Sequence, residues 1–191
     1  SNAKGLEQLS THRADATAWE PGEYDLVQCV LGIFFFPDMA AGTRHLISRA
    51  RPGGRVGFTI WRRGAVEDAG RNLRRAIRQV TGAGDDEERP ESLIDRISSA
   101  DAYTDWLRSL GLEQVQVTEA PLTVPMTPEI AWLVIVGSGF VGYLHKLADA
   151  QVEQVRESYL HSLAETGLRE LDATTLIGTA VRQGASQMSR R

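Results

Sequence analysis

The 191-residue sequence contains one cysteine, no long hydrophobic run and no excess of basic residues, and each shortage excludes a class of protein. A single cysteine, Cys29, rules out an internal disulfide. Apolar stretches stay below the roughly 18 residues that a membrane-spanning helix needs. A basic and apolar leader would indicate secretion, and none is recognised, so we expect a cytoplasmic protein. The formal net charge of −4 gives no reason to expect a nucleic-acid partner.

Histidine is also scarce, and its spacing argues against a metal site. With only one cysteine to assist them, the histidines do not have the spacing of zinc ligands: His12, His45, His145 and His161. Residues 1–3 are interpreted as the remnant of an expression tag. Lys4 rather than Met follows them, which leaves open that the natural chain begins further upstream. The remaining length, 4–191, suits a single domain with a sizeable core.

The stretch RARPGGRVGFTIW, residues 49–61, joins a helix to a strand. Helical spacing of apolar residues over 39–50 predicts a helix, with Asp38 placed to cap its first turn. Pro52 and the two glycines after it predict the end of that helix and a tight turn. The apolar run that follows predicts a parallel strand covered on both faces. A second apolar run at 24–31 completes a βαβ unit, which predicts an α/β protein.

The same patterns predict the remaining elements. They indicate a surface loop at 81–92, helices at 66–80, 100–110, 128–136 and 149–166, and strands near 115–117 and 174–182. One segment has two interpretations, because Gly137, Gly139 and Gly142 form the GxGxxG pattern of dinucleotide-binding loops. A capping threonine at 127 and a proline at 128 favour a glycine-rich helical region instead, and we prefer that interpretation.

The sequence between Asp15 and Trp61, with its YDLVQCVLGIFFFPD and RPGGRVGFTIW segments, resembles the later two-thirds of a class I S-adenosylmethionine-dependent methyltransferase of the small-molecule type. The resemblance implies an α/β fold with a Rossmann-like methyltransferase sheet, incomplete at its N-terminal side, and an added helical lid. It assigns the sheet core to about 4–65, 111–121 and 172–185. The lid is assigned to about 66–100 and 126–168.

The resemblance also implies roles for individual residues, with S-adenosylmethionine as the cofactor. Asp15 is expected to accept a hydrogen bond from the adenine amino group, with Ala16 beside it. The methionine portion and the sulfonium would lie at Cys29, Val30 and Leu31, at the end of the first strand. Trp61 and Arg62 are predicted to line the acceptor pocket, and His145 is the candidate base. Each position also has a structural interpretation: Asp15 as a cap, Cys29 and Trp61 as packing residues.

The sequence departs from the resemblance before Asp15, where no glycine-rich cofactor loop and no ribose-binding acidic residue are present. The strand that carries that loop would lie beside residues 24–31. We therefore expect an unpaired apolar edge at 24–31, which favours association into a homo-oligomer or pairing with a displaced segment of the same chain. The alternative is that the chain is a fragment of a longer enzyme.

Three functions remain open from the sequence. The first is a methyltransferase that transfers a methyl group to a small-molecule acceptor. The second is a non-catalytic methyltransferase-like module for binding or assembly. The third is a nicotinamide-dependent oxidoreductase that uses Gly137 to Gly142, for which residues 131–136 would have to form a strand. The apolar and aromatic lid favours a bulky, partly apolar acceptor.

Overall fold

A computed structural model describes residues 8–82 and 92–184, so residues 1–3 and most of the predicted loop at 81–92 lie outside the described residues. In chain order the elements are β1 (Tyr24–Val30), α1 (Met39–Arg49), β2 (Ala50–Trp61), α2 (Glu67–Thr81), α3 (Leu93–Ile97), α4 (Ala100–Ser109), β3 (Leu112–Ala120), β4 (Thr123–Pro125), α5 (Pro128–Val136), α6 (Asp149–Thr166), β5 (Glu170–Asp172) and β6 (Thr175–Arg182). Short 3₁₀ helices occupy Ala16–Ala18, Ile33–Phe35 and Gly139–Tyr143. The helices and long strands predicted from the sequence are confirmed.

The main sheet has the strand order β1-β2-β6-β3 in the described part of the chain. β1 and β2 are parallel, whereas β6 runs antiparallel to both β2 and β3. A second, small sheet pairs β4 with β5. β1 therefore has a single neighbour among the described residues and forms the edge of the sheet, where the sequence places an unpaired strand.

The βαβ unit forms as predicted, but its turn differs. The Asp38 carboxylate caps α1 by accepting a hydrogen bond from the Ala41 amide at 2.8 Å. β2 then begins at Ala50, before the proline, and its pairing with β1 jumps from Tyr24↔Ala50 to Leu26↔Arg55. The segment 51–54 therefore bulges out of the strand, with Gly53 at a φ of 76°. The predicted tight turn is corrected to an irregularity within β2.

Two apolar clusters organise the molecule. The sheet core packs α1, α3 and α4 against Val56, Phe58 and Ile60 of β2. It is completed by the buried Tyr103, whose hydroxyl donates a hydrogen bond to the Phe58 carbonyl at 3.1 Å. The lid core joins α2, α5 and α6. The structure thus divides the range predicted as lid at 66–100: α2 joins the lid core, and α3 packs on the sheet.

Burial differs sharply between the two parallel strands. β2 is buried or half-buried from Val56 to Trp61, which confirms the predicted covering of both its faces. β1 is much more open, because Leu26 is 50% and Val30 69% exposed. Ile177, on the neighbouring part of β6, is exposed as well. Among the described residues, every helix is too short or too polar to cross a membrane.

Gly178 tests the packing of α4 on β6. A Cβ atom at this position would lie 2.5 Å from Leu107 Cδ1 and 3.0 Å from Tyr103 Cε1, both in the buried core. We expect Gly178→Ala to lower the free energy of unfolding by about 1–3 kcal/mol, because α4 must move away. Urea denaturation followed by circular dichroism measures this change.

Gly142→Ala is the matched control, because a Cβ there meets nothing within 4 Å. We expect that variant to change the free energy of unfolding by less than about 0.5 kcal/mol. Equal effects of the two substitutions would contradict the close approach of α4 to β6.

Candidate functional site

A cavity of about 780 Å³ lies between the carboxyl ends of β1 and β2 and the lid. Its volume is in the range of small-molecule sites, and its position at the carboxyl edge of parallel strands is where α/β folds bind ligands. The residues that line it are Leu31, Phe34, Phe35, Trp61, Val66, Leu122, Val124, Leu133, Val134, Gly137, Ser138, Gly139, Phe140, Tyr143, Leu171 and Ala173.

The wall on the sheet side is formed where β1 and β2 end. Leu31 leaves β1 with a φ of 51°, and its amide donates a hydrogen bond to the Thr59 carbonyl at 3.1 Å. Val66, which precedes α2, also has a positive φ, 55°. Non-glycine residues rarely adopt this conformation, and such strain clusters at functional sites. Both strained residues line the cavity.

The wall on the lid side comes from α5 and the 3₁₀ helix after it. Thr127 caps α5 and Pro128 occupies its first turn, as the sequence predicts. Gly139 allows a close approach, because a Cβ there would lie 3.0 Å from Phe35 Cζ. Gly70 of α2 does the same for Phe140, whose Cε1 would be 2.9 Å away. At both glycines, a neighbouring aromatic ring therefore occupies the space that a Cβ atom would need.

The helical geometry of α5 decides between the two interpretations of the GxGxxG pattern. A dinucleotide-binding loop follows a strand, whereas Ile135 and Val136 end a helix that stops at Gly137. The structural context required by the nicotinamide-dependent oxidoreductase hypothesis is therefore missing, and that hypothesis is wrong for this segment.

Arg62 connects the main sheet to the small antiparallel sheet formed by β4 and β5. Its guanidinium contacts the carboxylate of Asp172 and, at 3.1 Å, that of Glu119. Backbone hydrogen bonds reinforce the connection: the Arg62 amide donates to the Thr174 carbonyl at 3.1 Å, and the Val66 amide to the Asp172 carbonyl at 2.8 Å. Hydrogen bonds from Thr174, followed by the charge of Arg62, lower the pKa of Asp172.

The predicted site residues are distributed unevenly around the cavity. Trp61 and Leu31 line it. Cys29 is half-buried against the sheet core, and burial raises the pKa of its thiol. Val30 lies on the exposed side of β1. Arg62 is not in the lining, because its guanidinium is paired with carboxylates.

The candidate base lies outside the cavity. His145 is exposed in the turn that follows the 3₁₀ helix, whereas Tyr143, two residues earlier, lines the cavity. Nothing in the sequence patterns identified Tyr143, Phe34 or Phe35 as a site residue. The aromatic run IFFF, which begins shortly after β1, was a usable signal for the two phenylalanines. In residues 8–82 and 92–184, no group of three His, Cys, Asp or Glu side chains is placed to hold a metal ion.

Asp15 and Ala16 lie at the opposite end of β1 from the cavity. Ala16 lines a smaller cavity of about 370 Å³ with Tyr24, the first residue of β1, and Arg49, the last residue of α1. The Asp15 carboxylate caps a 3₁₀ helix by accepting from the Thr17 amide at 2.8 Å, and hydrogen bonds from Thr17 lower its pKa. A seven-residue strand is roughly 20 Å long, so the predicted adenine and sulfonium residues are not brought together.

The arrangement fits one end of S-adenosylmethionine and does not fit the other. The carboxyl end of β1, with Leu31 in the cavity wall, fits the methionine end of S-adenosylmethionine in position and in space. The predicted adenine residues do not fit, since Ala16 lines a different cavity.

Solved structures of other proteins share the fold of this chain. The structure is similar over 95% of this chain and 74% of the other to the YcgJ protein of Bacillus subtilis, with a TM-score of 0.54 and 14% identity. It also matches phosphoethanolamine N-methyltransferase 2 of Haemonchus contortus, solved with S-adenosyl-L-methionine, over 88% of this chain and 36% of that one, with a TM-score of 0.41 and 14% identity. Two further matches are titled putative methyltransferases, with TM-scores of 0.44 and 0.49 and 14% identity.

The chain therefore has a Rossmann-like α/β fold, similar to that of the YcgJ protein, with helices over the carboxyl edge of its sheet. No protein-family model matches the sequence, and no curated protein of known sequence matches it. At 14% identity the likeness concerns the fold, and a fold of this kind supports many reactions.

The lowered pKa of Asp172, caused first by hydrogen bonds from Thr174 and then by Arg62, predicts a dependence of stability on pH. A carboxyl group with a lowered pKa in the folded state stabilises the protein above its unfolded pKa of about 3.9, and this contribution is lost as the pH falls through the folded pKa. We expect Asp172→Asn to lower the Tm at about pH 6 and to match the wild-type Tm increasingly closely below about pH 4. Differential scanning calorimetry from pH 3 to 7 measures this.

Asp105→Asn is the control, because Asp105 forms an exposed ion pair with Arg108 within α4, at 3.3 Å. We expect this variant to change the Tm little at any pH, as exposed pairs contribute little. If the Tm difference between Asp172→Asn and wild type stays constant below about pH 4, the stabilisation by ionised Asp172 is contradicted.

Proposed function

We propose that this protein is a methyltransferase that uses S-adenosylmethionine to methylate a small-molecule acceptor. The observation that carries the proposal is the cavity of about 780 Å³ at the shared carboxyl edge of β1 and β2. Doubly wound α/β proteins bind cofactors and substrates at this edge. The resemblance of the sequence from Asp15 to Trp61 to class I methyltransferases supports the same reaction class.

In this proposal the cofactor supplies an activated methyl group, and Leu31, which lines the cavity at the end of β1, would contact its methionine end. The residues of the chain hold the acceptor close and aligned, which alone contributes much of the rate in a displacement reaction. Trp61 and Phe35 would contact the acceptor, and the apolar lining would exclude water. His145, the base predicted from the sequence, is exposed and does not line the cavity, so the proposal does not depend on it.

Isothermal titration with S-adenosylhomocysteine, the demethylated product, tests the proposal. We expect one molecule of S-adenosylhomocysteine to bind per chain with micromolar affinity. In a parallel titration we expect a nicotinamide dinucleotide not to bind. Circular dichroism of the same sample controls for folding. A folded chain that binds neither ligand would contradict the proposal and favour the non-catalytic methyltransferase-like module instead.

Asp15→Ala separates two arrangements of the cofactor. With Asp15 at the amino end of β1, we expect the affinity for S-adenosylhomocysteine to stay within about twofold of wild type, because a distant, exposed carboxylate contributes little. Asp105→Ala serves as the matched control. A loss of about tenfold or more confined to Asp15→Ala would mean that the segment before β1 moves to the carboxyl edge when the cofactor binds.

We also propose that the β1 edge pairs with the same edge of a second copy. The support is the single described neighbour of β1 and the exposure of Leu26 and Val30 beside that edge. Unpaired strands of this kind are templates for pairing with another chain. The pairing would extend the sheet across both copies.

Light scattering after size exclusion tests this pairing with two lysine substitutions on the same sheet face. We expect wild type to be a dimer and Leu26→Lys to be a monomer, since lysine on an edge strand blocks pairing. Ile177→Lys, on the inner strand β6, is expected to remain a dimer. Loss of the dimer in both variants would indicate stacking of faces rather than edges, and a monomeric wild type would overturn the proposal.

A further inference from the structure

We propose that the cavity between β1, β2 and the lid binds a planar aromatic compound of two or three fused rings as its acceptor. That this compound is an acceptor rests on the proposed function, whereas its binding to the cavity does not. The support is where the aromatic side chains of the lining lie, how they are anchored and how much of the lining faces water.

Aromatic side chains line both sides of the cavity. The sheet side contributes three of them and the lid side two: Phe34, Phe35 and Trp61, and Phe140 and Tyr143. The two sides meet at Gly139, where a Cβ atom would lie 3.0 Å from Phe35 Cζ. The aromatic part of the lining therefore continues from the sheet side to the lid side at this point.

Two of these rings are anchored in different apolar cores. Phe34 packs against the sheet core, and Phe140 packs against the lid core. Phe140 also lies close to α2, because a Cβ atom at Gly70 would be 2.9 Å from its Cε1. The rings of Phe34 and Phe35 contact each other with a tilt of 53° and centroids 4.8 Å apart. These contacts hold the aromatic walls in place before a ligand binds, which lowers the entropic cost of binding.

Much of the lining faces water although it is apolar. Phe35 is 65%, Leu133 63% and Leu122 55% exposed, and all three line the cavity. Exposed apolar groups gathered around a cavity are typical of binding sites, because a ligand that covers them removes apolar surface from water. The exposure of these residues also leaves the cavity open to water, so that the charged groups at the methionine end of the cofactor would stay hydrated.

Aromatic walls favour a planar aromatic ligand over a saturated one with the same carbon skeleton. Pairs of aromatic rings gain from offset stacking and edge-to-face contacts beyond the burial of apolar area, and a saturated ring does not make these contacts. The volume of about 780 Å³ is in the range of sites for drug-sized ligands and admits two or three fused rings. The lining thus favours a fused aromatic ring system.

A matched pair of probes tests the inference directly. Equilibrium dialysis of the full chain without any cofactor compares 2-naphthol with trans-decahydro-2-naphthol, which keeps the hydroxyl group and the bicyclic skeleton and lacks the aromatic rings. We expect 2-naphthol to bind at least about fivefold more tightly. Equal affinities, tighter binding of the saturated compound, or no binding of 2-naphthol below millimolar concentration would overturn the inference.

Removal of one ring from the lining should weaken this preference. Phe35→Leu keeps an apolar side chain at an exposed position, so the fold is retained, and we expect the ratio of the two affinities to fall by about threefold or more. Tyr24→Leu is the matched control, because Tyr24 is an exposed aromatic residue at the amino end of β1 that lines the smaller cavity. An unchanged ratio in Phe35→Leu, or an equal or larger fall in Tyr24→Leu, would overturn the inference.

Dialysis of 2-naphthol with saturating S-adenosylhomocysteine separates the acceptor class from the proposed function. An acceptor binds together with the cofactor, so we expect 2-naphthol to bind at least as tightly as without it. Competition between the two compounds would assign the aromatic walls to the cofactor and overturn the acceptor class. Preferential binding of 2-naphthol by a chain that does not bind S-adenosylhomocysteine would support the aromatic site and contradict the methyltransferase. Binding of S-adenosylhomocysteine without a preference for 2-naphthol would support the methyltransferase and contradict the acceptor class.

Discussion

The parallel pairing of β1 with β2 is the constraint on which the rest of the structure depends. It brings the carboxyl ends of both strands to one edge, so that Leu31 and Trp61 enter the same cavity although they are far apart in the chain. Parallel strands require a crossover, and α1 supplies it while covering one face of the sheet. The site is therefore a direct consequence of the βαβ connection.

A second set of contacts holds the lid in place over that edge. The lid has its own apolar core, so its position relative to the sheet depends on connections between the two cores. Arg62 provides one of them through Asp172, and the backbone hydrogen bond from Val66 to the same residue provides another. Both lie next to residues of the cavity wall, which links the shape of the cavity to these polar contacts.

The glycine-rich segment shows how a sequence pattern can have more than one physical cause. Glycines in a phosphate-binding loop expose backbone amides, whereas Gly139 gives room to the Phe35 ring. Local signals, a capping Thr127 and a proline at position 128, were sufficient to predict the helix before it. The contact with Phe35 was not predictable, because it joins segments about a hundred residues apart in the printed sequence.

The sequence by itself determined the elements and the fold class, because helix caps, periodicity and apolar runs act between neighbours in the chain. It also determined that Trp61 and Leu31 stand at strand ends. Only the tertiary structure decided which side chains share the cavity, that Arg62 is occupied by carboxylates, and that Asp15 lies at the other end of β1. These outcomes depend on the packing of the lid and of the segment before β1, which are set by long-range contacts that no local pattern encodes.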